Sequence, residues 1–427
     1  MTRTEINNII SLIRKEVVPA IGCTEPIAVA LCVAKAKEIL EKEPTKVEVF
    51  LSANMLKNAM GVGIPSTTQI GLPIAVALGV VIGESSLGLE VLKGSDMKAV
   101  DLANKYIEKT DIDIQLKKEC TNKLYIEVIV YSGDDKAKAV IEGSHTNFTY
   151  LTFNSEVLLD NRAGVSQDET DEEVTLNLKR IYDFSTTVEY NEIEFILESG
   201  RLNKAAAESA FNEDYGHSLG QMLLTGNAAK IMGDSLFSKA LSYTSAACDA
   251  RMAGAMIPVM SNSGSGNQGI SATLPVVIYA EENGKSKEEL ARALVLSHLT
   301  AIYIKQSLGR LSALCGCVVA ATGSSCGITF LMGGGYKEVS YAVQNMVANI
   351  TGMICDGAKP SCSLKVTTGV STALLSAMMA IEGKSVTAVE GIIDKDVDQT
   401  IRNLTKIGSQ GMNETDALVL EIMTSKC

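Results

Sequence analysis

Half of the ten cysteines in this chain fall between residues 312 and 365, in a segment rich in glycine, alanine and serine. They are Cys315, Cys317, Cys326, Cys355 and Cys362. Thiolates select zinc or iron-sulfur clusters over harder cations, so this density predicts a soft-metal site. The alternative is packing alone, because a free cysteine behaves as a small buried hydrophobe.

The spacing of these thiols narrows the choice of metal. The chain has no Cys-x-x-Cys pair, and none of its three histidines lies in the cysteine-rich segment. A zinc ribbon or finger is therefore disfavoured. Three thiols spaced like Cys315, Cys355 and Cys362 are better suited to a cluster that leaves one iron open. His217 and His298 lie in helical sequence and are expected to be ordinary core or surface residues.

Another thiol, Cys23, stands just before a predicted helix. Its motif, Pro19-Ala-Ile-Gly-Cys23-Thr-Glu-Pro26, precedes an apolar run from 27 to 41, and Pro26 suits a first helical turn. Backbone N–H groups and the helix dipole favour a thiolate there, so we predict a lowered pKa and a reactive cysteine. A small residue buried at a turn is the alternative, and Cys32, inside the helix, is expected to belong to the core.

A glycine-rich loop, Ser261-Asn-Ser-Gly-Ser-Gly-Asn-Gln-Gly269, contains the spacing Gly-x-Gly-x-x-Gly. This matches the dinucleotide-binding fingerprint only weakly, because Pro258 sits in the would-be strand and no βαβ alternation surrounds it. We instead predict a loop whose backbone N–H groups and polar side chains bind a small carboxylate. A tight turn between packed helices remains the alternative.

Composition limits the class of protein. At 427 residues the chain is long enough for two structural units. Aromatic residues make up 5% and Trp is absent, whereas Gly (35) and Met (16) are plentiful, so closely packed helices with small and aliphatic side chains are expected. The net charge of -12 argues against nucleic acid or an anionic membrane as a partner.

The start of the chain has no charged region followed by an apolar one, so no signal peptide is predicted. Two long uncharged stretches, 252–280 and 311–336, are interrupted by Ser, Asn and Gly, and we predict buried helices there rather than membrane spans. A cytoplasmic location is expected, in which the cysteines stay reduced and serve as ligands or catalytic groups.

Apolar periodicity predicts an α+β fold, with a mainly helical catalytic domain and a small inserted α+β domain. We assign 1–85 and 174–427 to the helical domain. Residues 86–160 form the inserted domain, completed by a strand at 46–52, and the acidic segment 161–173 is a polar linker. Further strands are predicted at 124–130, 136–142 and 148–153.

Together, the motif around Cys23, the glycine-rich loop and the thiols at Cys315, Cys355 and Cys362 resemble the L-cysteine desulfidase family. These enzymes do not use PLP and are similar to the α-chain domain of iron-sulfur L-serine dehydratases. The resemblance covers nearly the whole chain. It implies that Cys315, Cys355 and Cys362 bind three irons of a [4Fe-4S] cluster, that Cys23 is the catalytic base, and that L-cysteine yields pyruvate, ammonia and sulfide.

The implied chemistry agrees with the residue types. Elimination of sulfide requires removal of the Cα proton, which a thiolate at a helix N-terminus can perform. It also requires stabilisation of a departing thiolate, for which an open iron is a suitable Lewis acid. Polar loop residues are predicted to bind the carboxylate and amine of the substrate. They are Asn58, Ser66, Thr67, Thr68, Ser263 and Asn267.

Three further cysteines are Cys317, Cys326 and Cys427. Cys317 and Cys315 would point to nearly opposite sides of a helix, and the resemblance selects Cys315 as the ligand. Cys326 is expected to be core. Cys427 is the last residue and either occupies the fourth iron until substrate displaces it, as in related serine dehydratases, or belongs to a frayed tail.

Other functions compete with the desulfidase. An iron-sulfur L-serine dehydratase would expel hydroxide instead of sulfide. A non-catalytic iron-sulfur sensor would keep the cluster, although the negative charge and the lack of a recognisable DNA-binding module disfavour it. A PLP-dependent desulfhydrase would form the same products, but no convincing Schiff-base lysine is apparent. A homodimer is expected from the prevalence of such assemblies.

Overall fold

The computed structural model describes residues 1–65, 67, 69–120, 122, 124–162, 174–309 and 312–426. Of these residues 60% are helical and 12% lie in sheet, so the predicted mainly helical α+β class is confirmed. The helices are α1 (Arg3–Glu16), α2 (Thr24–Leu40), α3 (Ala53–Ala59), α4 (Leu72–Val81), α5 (Met97–Lys109), α6 (Leu178–Thr187), α7 (Tyr190–Ile193), α8 (Leu197–Ala210), α9 (Leu219–Leu223), α10 (Gly226–Met232), α11 (Leu236–Met252), α12 (Gly266–Glu282), α13 (Lys287–Leu308), α14 (Gly316–Leu331), α15 (Tyr336–Ile350), α16 (Cys362–Ile381), α17 (Val397–Lys406) and α18 (Asn413–Thr424). The strands are β1 (Pro19–Ile21), β2 (Lys46–Leu51), β3 (Asp111–Leu116), β4 (Tyr125–Ser132), β5 (Asp135–Glu142), β6 (Phe148–Phe153), β7 (Glu156–Asp160) and β8 (Pro258–Met260).

Six strands form one sheet in the order β3-β2-β4-β5-β6-β7, in which only β2 and β3 run parallel. The predicted strands are present as β2, β4, β5 and β6. In β2, Val47, Val49 and Leu51 are buried and alternate with partly exposed residues, which is the period expected of a half-covered strand.

The sheet shares its hydrophobic core with α2, α3, α4 and α5. Almost every side chain of α4 is buried, because α2 and α4 pack on each other and α2 covers β4 and β5. The predicted domain 1–85 is therefore divided between two cores: α1 belongs to the helical core, whereas α2 to α4 belong with the sheet. Most of the predicted linker, residues 163–173, lies outside the described residues.

The helical core is built mainly from α11 to α16. The uncharged stretches of the sequence appear here as the buried helices α12 and α14. Small residues permit the close packing: a Cβ on Gly323 of α14 would overlap the carbonyl oxygen of Ser297 on α13. In the described part of the chain one helix, α16, is long and apolar enough to cross a membrane, and half of its apolar window is buried within the protein.

A second sheet has two antiparallel strands, β1 shortly before Cys23 and β8 directly before the glycine-rich loop. β1 pairs with β8, with Pro19 opposite Met260 and Ile21 opposite Pro258. Pro258 is the first residue of its strand, where a missing N–H is tolerated. Because β8 pairs with β1 in an antiparallel manner, the glycine-rich loop does not follow the strand of a dinucleotide-binding βαβ unit. The pairing instead places Cys23, just after β1, on the side of the segment that precedes β8. The loop that follows β8 lies beside the residues before β1, where Ser261 and Ser263 donate to the carbonyl oxygens of Val18 and Glu16.

Candidate active site

Cys23 is the N-cap residue of α2 and is 2% exposed. Its Sγ donates a hydrogen bond to Oε2 of Glu25 at 2.9 Å. Burial and the Glu25 carboxylate raise the pKa of the Cys23 thiol well above its usual value, while the nearby Arg251 guanidinium acts in the opposite direction. The predicted lowering of this pKa is therefore wrong, because the loss of hydration outweighs the helix N-terminus.

Glu25 connects the thiol to one of the predicted substrate-binding residues. Its Oε1 accepts a hydrogen bond from Nδ2 of Asn58 on α3 at 3.2 Å, and Thr24 Oγ1 lies 3.4 Å from Oε2. Both carboxylate oxygens thus have partners. Asn58 is brought next to Cys23 by the packing of α3 against α2.

The other predicted residues of this segment are placed differently. The Thr67 hydroxyl donates to the carbonyl oxygen of Ile64 at 2.8 Å and accepts from the backbone N–H of Gln69 at 3.1 Å. It therefore stabilises a local turn. Ser66 and Thr68 lie outside the described residues.

The glycine-rich loop is held against α1 and α11. Ser263 has φ of +48°, its N–H donates to the carbonyl oxygen of Glu16 at 2.9 Å, and its Oγ donates to Oδ1 of Asn262 at 2.9 Å. Asn267, in the first turn of α12, accepts a hydrogen bond from Nη1 of Arg251 at 3.1 Å. The predicted binding residues Ser263 and Asn267 thus lie on either side of the α12 N-terminus.

A buried polar network supports the loop from behind. Nδ2 of Asn262 lies 3.0 Å from Nδ1 of His298, whose Nε2 lies 3.0 Å from Oγ1 of Thr273. Gln268 Nε2 donates to Oδ1 of Asn262 at 3.2 Å. Burial lowers the pKa of His298 to about 3, so the ring is neutral. His298 is a satisfied core residue, as predicted.

This neutral histidine makes the protein sensitive to acid. An unfolded histidine has a pKa of about 6.5, and the folded value for His298 is about 3, so between these values the unfolded chain binds more protons. We expect His298 to reduce the free energy of unfolding by about 1.4 kcal/mol for each pH unit below 6. Urea unfolding at pH 7, 6 and 5 should show a shallower acid dependence in His298→Gln than in the wild type.

His217→Gln, which removes an exposed histidine, is the control for that comparison. An equally steep loss of stability in His298→Gln and in the wild type would show that other groups cause the acid sensitivity.

The three predicted ligands gather where α14 and α16 begin. Cys315 is the N-cap of α14 and Cys362 is the first residue of α16. Cys315 N–H donates to the carbonyl oxygen of Met353 at 2.9 Å, and Cys355 N–H donates to that of Ala313 at 2.7 Å. These two bonds hold the Cys315 and Cys355 segments side by side.

The thiols affect one another electrostatically. The Cys317 thiol and burial raise the pKa of Cys315 to about 12. The Cys315 thiol and burial raise the pKa of Cys355 well above its usual value, and burial raises that of Cys362, with a further contribution from Cys355. Such a group of thiols becomes a set of thiolates only beside a strong positive charge, which a metal provides.

The three thiols are the type of donor that an iron-sulfur cluster uses. No group of three or more His, Cys, Asp or Glu residues among those described is arranged to hold one metal ion. In a cluster each cysteine binds its own iron, so the sulfur atoms need not converge on one point. Cys315, Cys355 and Cys362 therefore fit an iron-sulfur cluster in chemistry, and the ammonium groups of Lys57 and Lys365 lie close enough to act on the thiols.

The other cysteines of this part of the chain have different surroundings. The Sγ of Cys317 donates to the carbonyl oxygen of Lys365 at 2.9 Å, and a Cβ on Gly369 would overlap it, so Cys317 packs on α16. Cys326 is fully buried in the core, as predicted. Cys427 lies outside the described residues.

Three residues of the site were missed by sequence reasoning: Glu25, Cys248 and Arg251. Glu25 lies inside the motif around Cys23, so its carboxylate was available as a signal. Cys248 is fully buried on α11, where burial and the Cys362 thiol raise its pKa. No spacing connects it to the other thiols. Arg251 is a lone cation at the edge of an uncharged stretch, which is the one signal that pointed to it.

Close backbone contacts bring the segments around Cys23, the glycine-rich loop and the ligand thiols into one region. A Cβ on Gly63 would overlap the backbone of Ala253, and a Cβ on Gly357 would overlap the carbonyl oxygen of Lys57. A Cβ on Gly316, next to Cys315, would lie 2.8 Å from Oε1 of Gln268. The glycines thus allow α11, α12, α14 and the segment after α3 to meet, and Cys23 and Cys315 share one hydrophobic core.

Comparison with known proteins identifies the family of this chain. Residues 93–421 match the serine dehydratase alpha chain family. The chain is 68% identical over 426 residues to a UPF0597 protein of Bacteroides fragilis, with 100% of both chains covered. It is 68% identical to one of Bacteroides thetaiotaomicron (100% of this chain, 99% of the relative) and 42% identical to one of Clostridium perfringens (97% of each). These names specify no reaction, whereas the family match indicates a lyase-type enzyme. The chain therefore belongs to the serine dehydratase alpha chain family, whose iron-sulfur enzymes use no PLP.

Proposed function

We propose that the protein is an L-cysteine desulfidase, which eliminates sulfide from L-cysteine and releases pyruvate and ammonia. One observation carries this proposal: α3 contacts both the Cys23 pair and the segment between two of the thiols. Asn58 donates to Glu25, the partner of Cys23. The carbonyl oxygen of the preceding residue, Lys57, lies against Gly357, between Cys355 and Cys362. A base and a site for the departing sulfur are thereby available to one small substrate. The motif around Cys23 favours L-cysteine as that substrate.

Removal of the Cα proton is assigned to Cys23. In the resting protein its S–H donates to Glu25, so the thiol must first lose this proton. Glu25 is placed to receive it, and the Arg251 guanidinium favours the resulting thiolate. The thiolate then takes the Cα proton as a general base.

Departure of the substrate sulfur is assigned to the three-cysteine site. Cys315, Cys355 and Cys362 would hold a [4Fe-4S] cluster, whose open iron supplies Lewis acidity for a leaving thiolate. Loss of hydrosulfide leaves aminoacrylate, which tautomerises to an imine and hydrolyses to pyruvate and ammonia. No electron enters or leaves, and PLP is not needed.

The polar side chains around Cys23 are proposed to orient the substrate. Asn58 reaches the Cys23–Glu25 pair, and Ser263 and Asn267 flank the α12 N-terminus. Ser66 and Thr68 belong to the same proposal, whereas the Thr67 hydroxyl is used in its local turn. We further propose a cytoplasmic homodimer that acts on a small molecule and binds neither nucleic acid nor a membrane.

Glu25 provides a test of the proton path. We expect Glu25→Gln to lower kcat about a hundredfold or more at pH 7, because the Cys23 proton loses its acceptor. The ratio of variant to wild-type kcat, in which titration of the substrate cancels, should rise with pH, because the pKa of Cys23 is raised and hydroxide replaces Glu25 as acceptor only in alkali.

Glu38→Gln is the matched control, since Glu38 lies on the same helix and binds Ser85 instead. An unchanged kcat in Glu25→Gln, at any pH, would remove Glu25 from the proton path.

The experiment that tests the proposed function measures sulfide and pyruvate released from L-cysteine by anaerobically reconstituted protein, together with its iron content. Equal amounts of both products, dependent on iron and unaffected by removal of PLP, are expected. The family match favours L-serine dehydratase as a second function. Turnover of L-serine well above that of L-cysteine by the same preparation would decide for the dehydratase, and activity without iron would exclude both.

A further inference from the structure

Arg251 is a buried cation without a carboxylate partner. It lies near the end of α11 and is 8% exposed. Its Nη1 donates to Oδ1 of Asn267, while its Nε is buried and has no hydrogen-bond partner. No ion pair forms between this guanidinium and any carboxylate of the described residues, in contrast to Arg180, Arg201 and Arg292.

A buried guanidinium without a carboxylate partner is expected to bind an anion. Arginine is almost never buried unless it is paired, because removing a guanidinium from water is costly. Glu25 acts on the same thiol as Arg251, but its two oxygens are occupied by Cys23, Thr24 and Asn58. An anionic ligand would complete the surroundings of Arg251.

The guanidinium is directed at the N-terminus of a long helix. Gly266 is the first residue of α12, which has 17 residues, and a Cβ on Gly266 would overlap Nε of Arg251. Glycine is therefore required for the arginine to lie there. The positive end of the α12 dipole and the planar guanidinium face the same space, and both favour a carboxylate or phosphate.

The position of the site favours a carboxylate on a small molecule. Arg251 acts electrostatically on both Cys23 and Cys248, so it lies near the candidate base and near the thiol region. In an α-amino acid the carboxylate and the proton removed in elimination are on the same carbon. A carboxylate held by Arg251 would consequently present its Cα to Cys23.

We propose that Arg251, together with the N-terminus of α12, binds the α-carboxylate of an amino-acid substrate, and that Asn267 orients the guanidinium. This inference rests on the proposed function only in taking an amino acid as substrate. It assigns the charge recognition to a residue on α11 and leaves the proton transfer to Cys23 and Glu25.

The test is equilibrium binding measured by calorimetry on the anaerobically reconstituted protein. The probes are L-alanine, which has the carboxylate but no leaving group, and L-alaninamide, in which the carboxylate is replaced by a neutral amide. The wild type should bind L-alanine about tenfold to a hundredfold more tightly than L-alaninamide, as expected for charge-assisted hydrogen bonds. Arg251→Gln should lose this difference, and Arg251→Lys should keep part of it.

Arg292→Gln is the matched control, because it removes another largely buried guanidinium, one that is paired with Glu288. Equal binding of the two probes by the wild type would overturn the inference, and that comparison requires no variant to fold. Unchanged binding of L-alanine by a folded Arg251→Gln protein would overturn it as well. Arg251-dependent binding without release of sulfide from L-cysteine would instead contradict the proposed function and leave the inference standing.

Discussion

Replacement of Cys355 by alanine should abolish both iron binding and elimination. The reconstituted wild type is expected to carry about four irons per chain, as a [4Fe-4S] cluster requires. Cys355 is held beside Cys315 by main-chain hydrogen bonds and interacts with the Cys315 thiol, so its loss removes one of three ligands from the centre of the group. Iron, acid-labile sulfide and the visible spectrum report the cluster, and sulfide release reports turnover.

Cys326 provides the matched control. It is fully buried on α14, the helix that Cys315 caps, but it belongs to the apolar core. Cys326→Ala should retain iron and activity, with some loss of stability from the small cavity. Full iron content in Cys355→Ala would show that the three-cysteine assignment is wrong, and Cys248, which acts electrostatically on the same group, would become the next thiol to replace.

Replacement of Cys23 by alanine should abolish elimination but leave iron binding intact. The iron content and spectrum should match the wild type, whereas kcat should fall about a thousandfold, within the range expected for loss of a general base. The physical reason is that Cys23 caps α2 and donates to Glu25, so it is not held among the ligand thiols. Anaerobic turnover and iron analysis of one preparation are sufficient.

Cys32→Ala is the control for a buried thiol lost from the same helix. Cys32 is fully buried and its Sγ donates to the carbonyl oxygen of Ala139 in the sheet, away from Cys23. Full activity of Cys23→Ala would exclude Cys23 as the base. Loss of iron together with activity would instead make Cys23 part of the cluster site.

Much of the fold could be predicted where burial of one face produces a regular spacing of apolar residues in the sequence. Val47, Val49 and Leu51 alternate in β2 because one face of the sheet is covered by helices, and this pattern is visible in the sequence. The edge strands β3 and β7 were not predicted, and most residues of both remain partly or fully exposed. The sequence of β7 does not alternate, whereas the alternation of Asp-Ile-Asp-Ile-Gln-Leu in β3 was a signal that was missed. The division of 1–85 between two cores was also hidden, since α4 is buried on nearly all sides and its sequence does not indicate its partner.

The sequence by itself determined the chemical inventory of this protein. The thiols at Cys315, Cys355 and Cys362, the motif around Cys23 and the polar glycine-rich loop can all be recognised from residue types and spacing. Small residues in α12 and α14 also predicted closely packed helices, because packing of that kind depends mainly on side-chain volume.

Only the tertiary structure decided the state of these groups. Burial in the folded chain raises the pKa of Cys23, and the fold turns Cys317 towards α16. It also buries Arg251 at the start of α12, where no carboxylate of the described residues pairs with it. The physical reason is that desolvation and nearby charge set a protonation state, and in this site both come from residues far apart in the sequence.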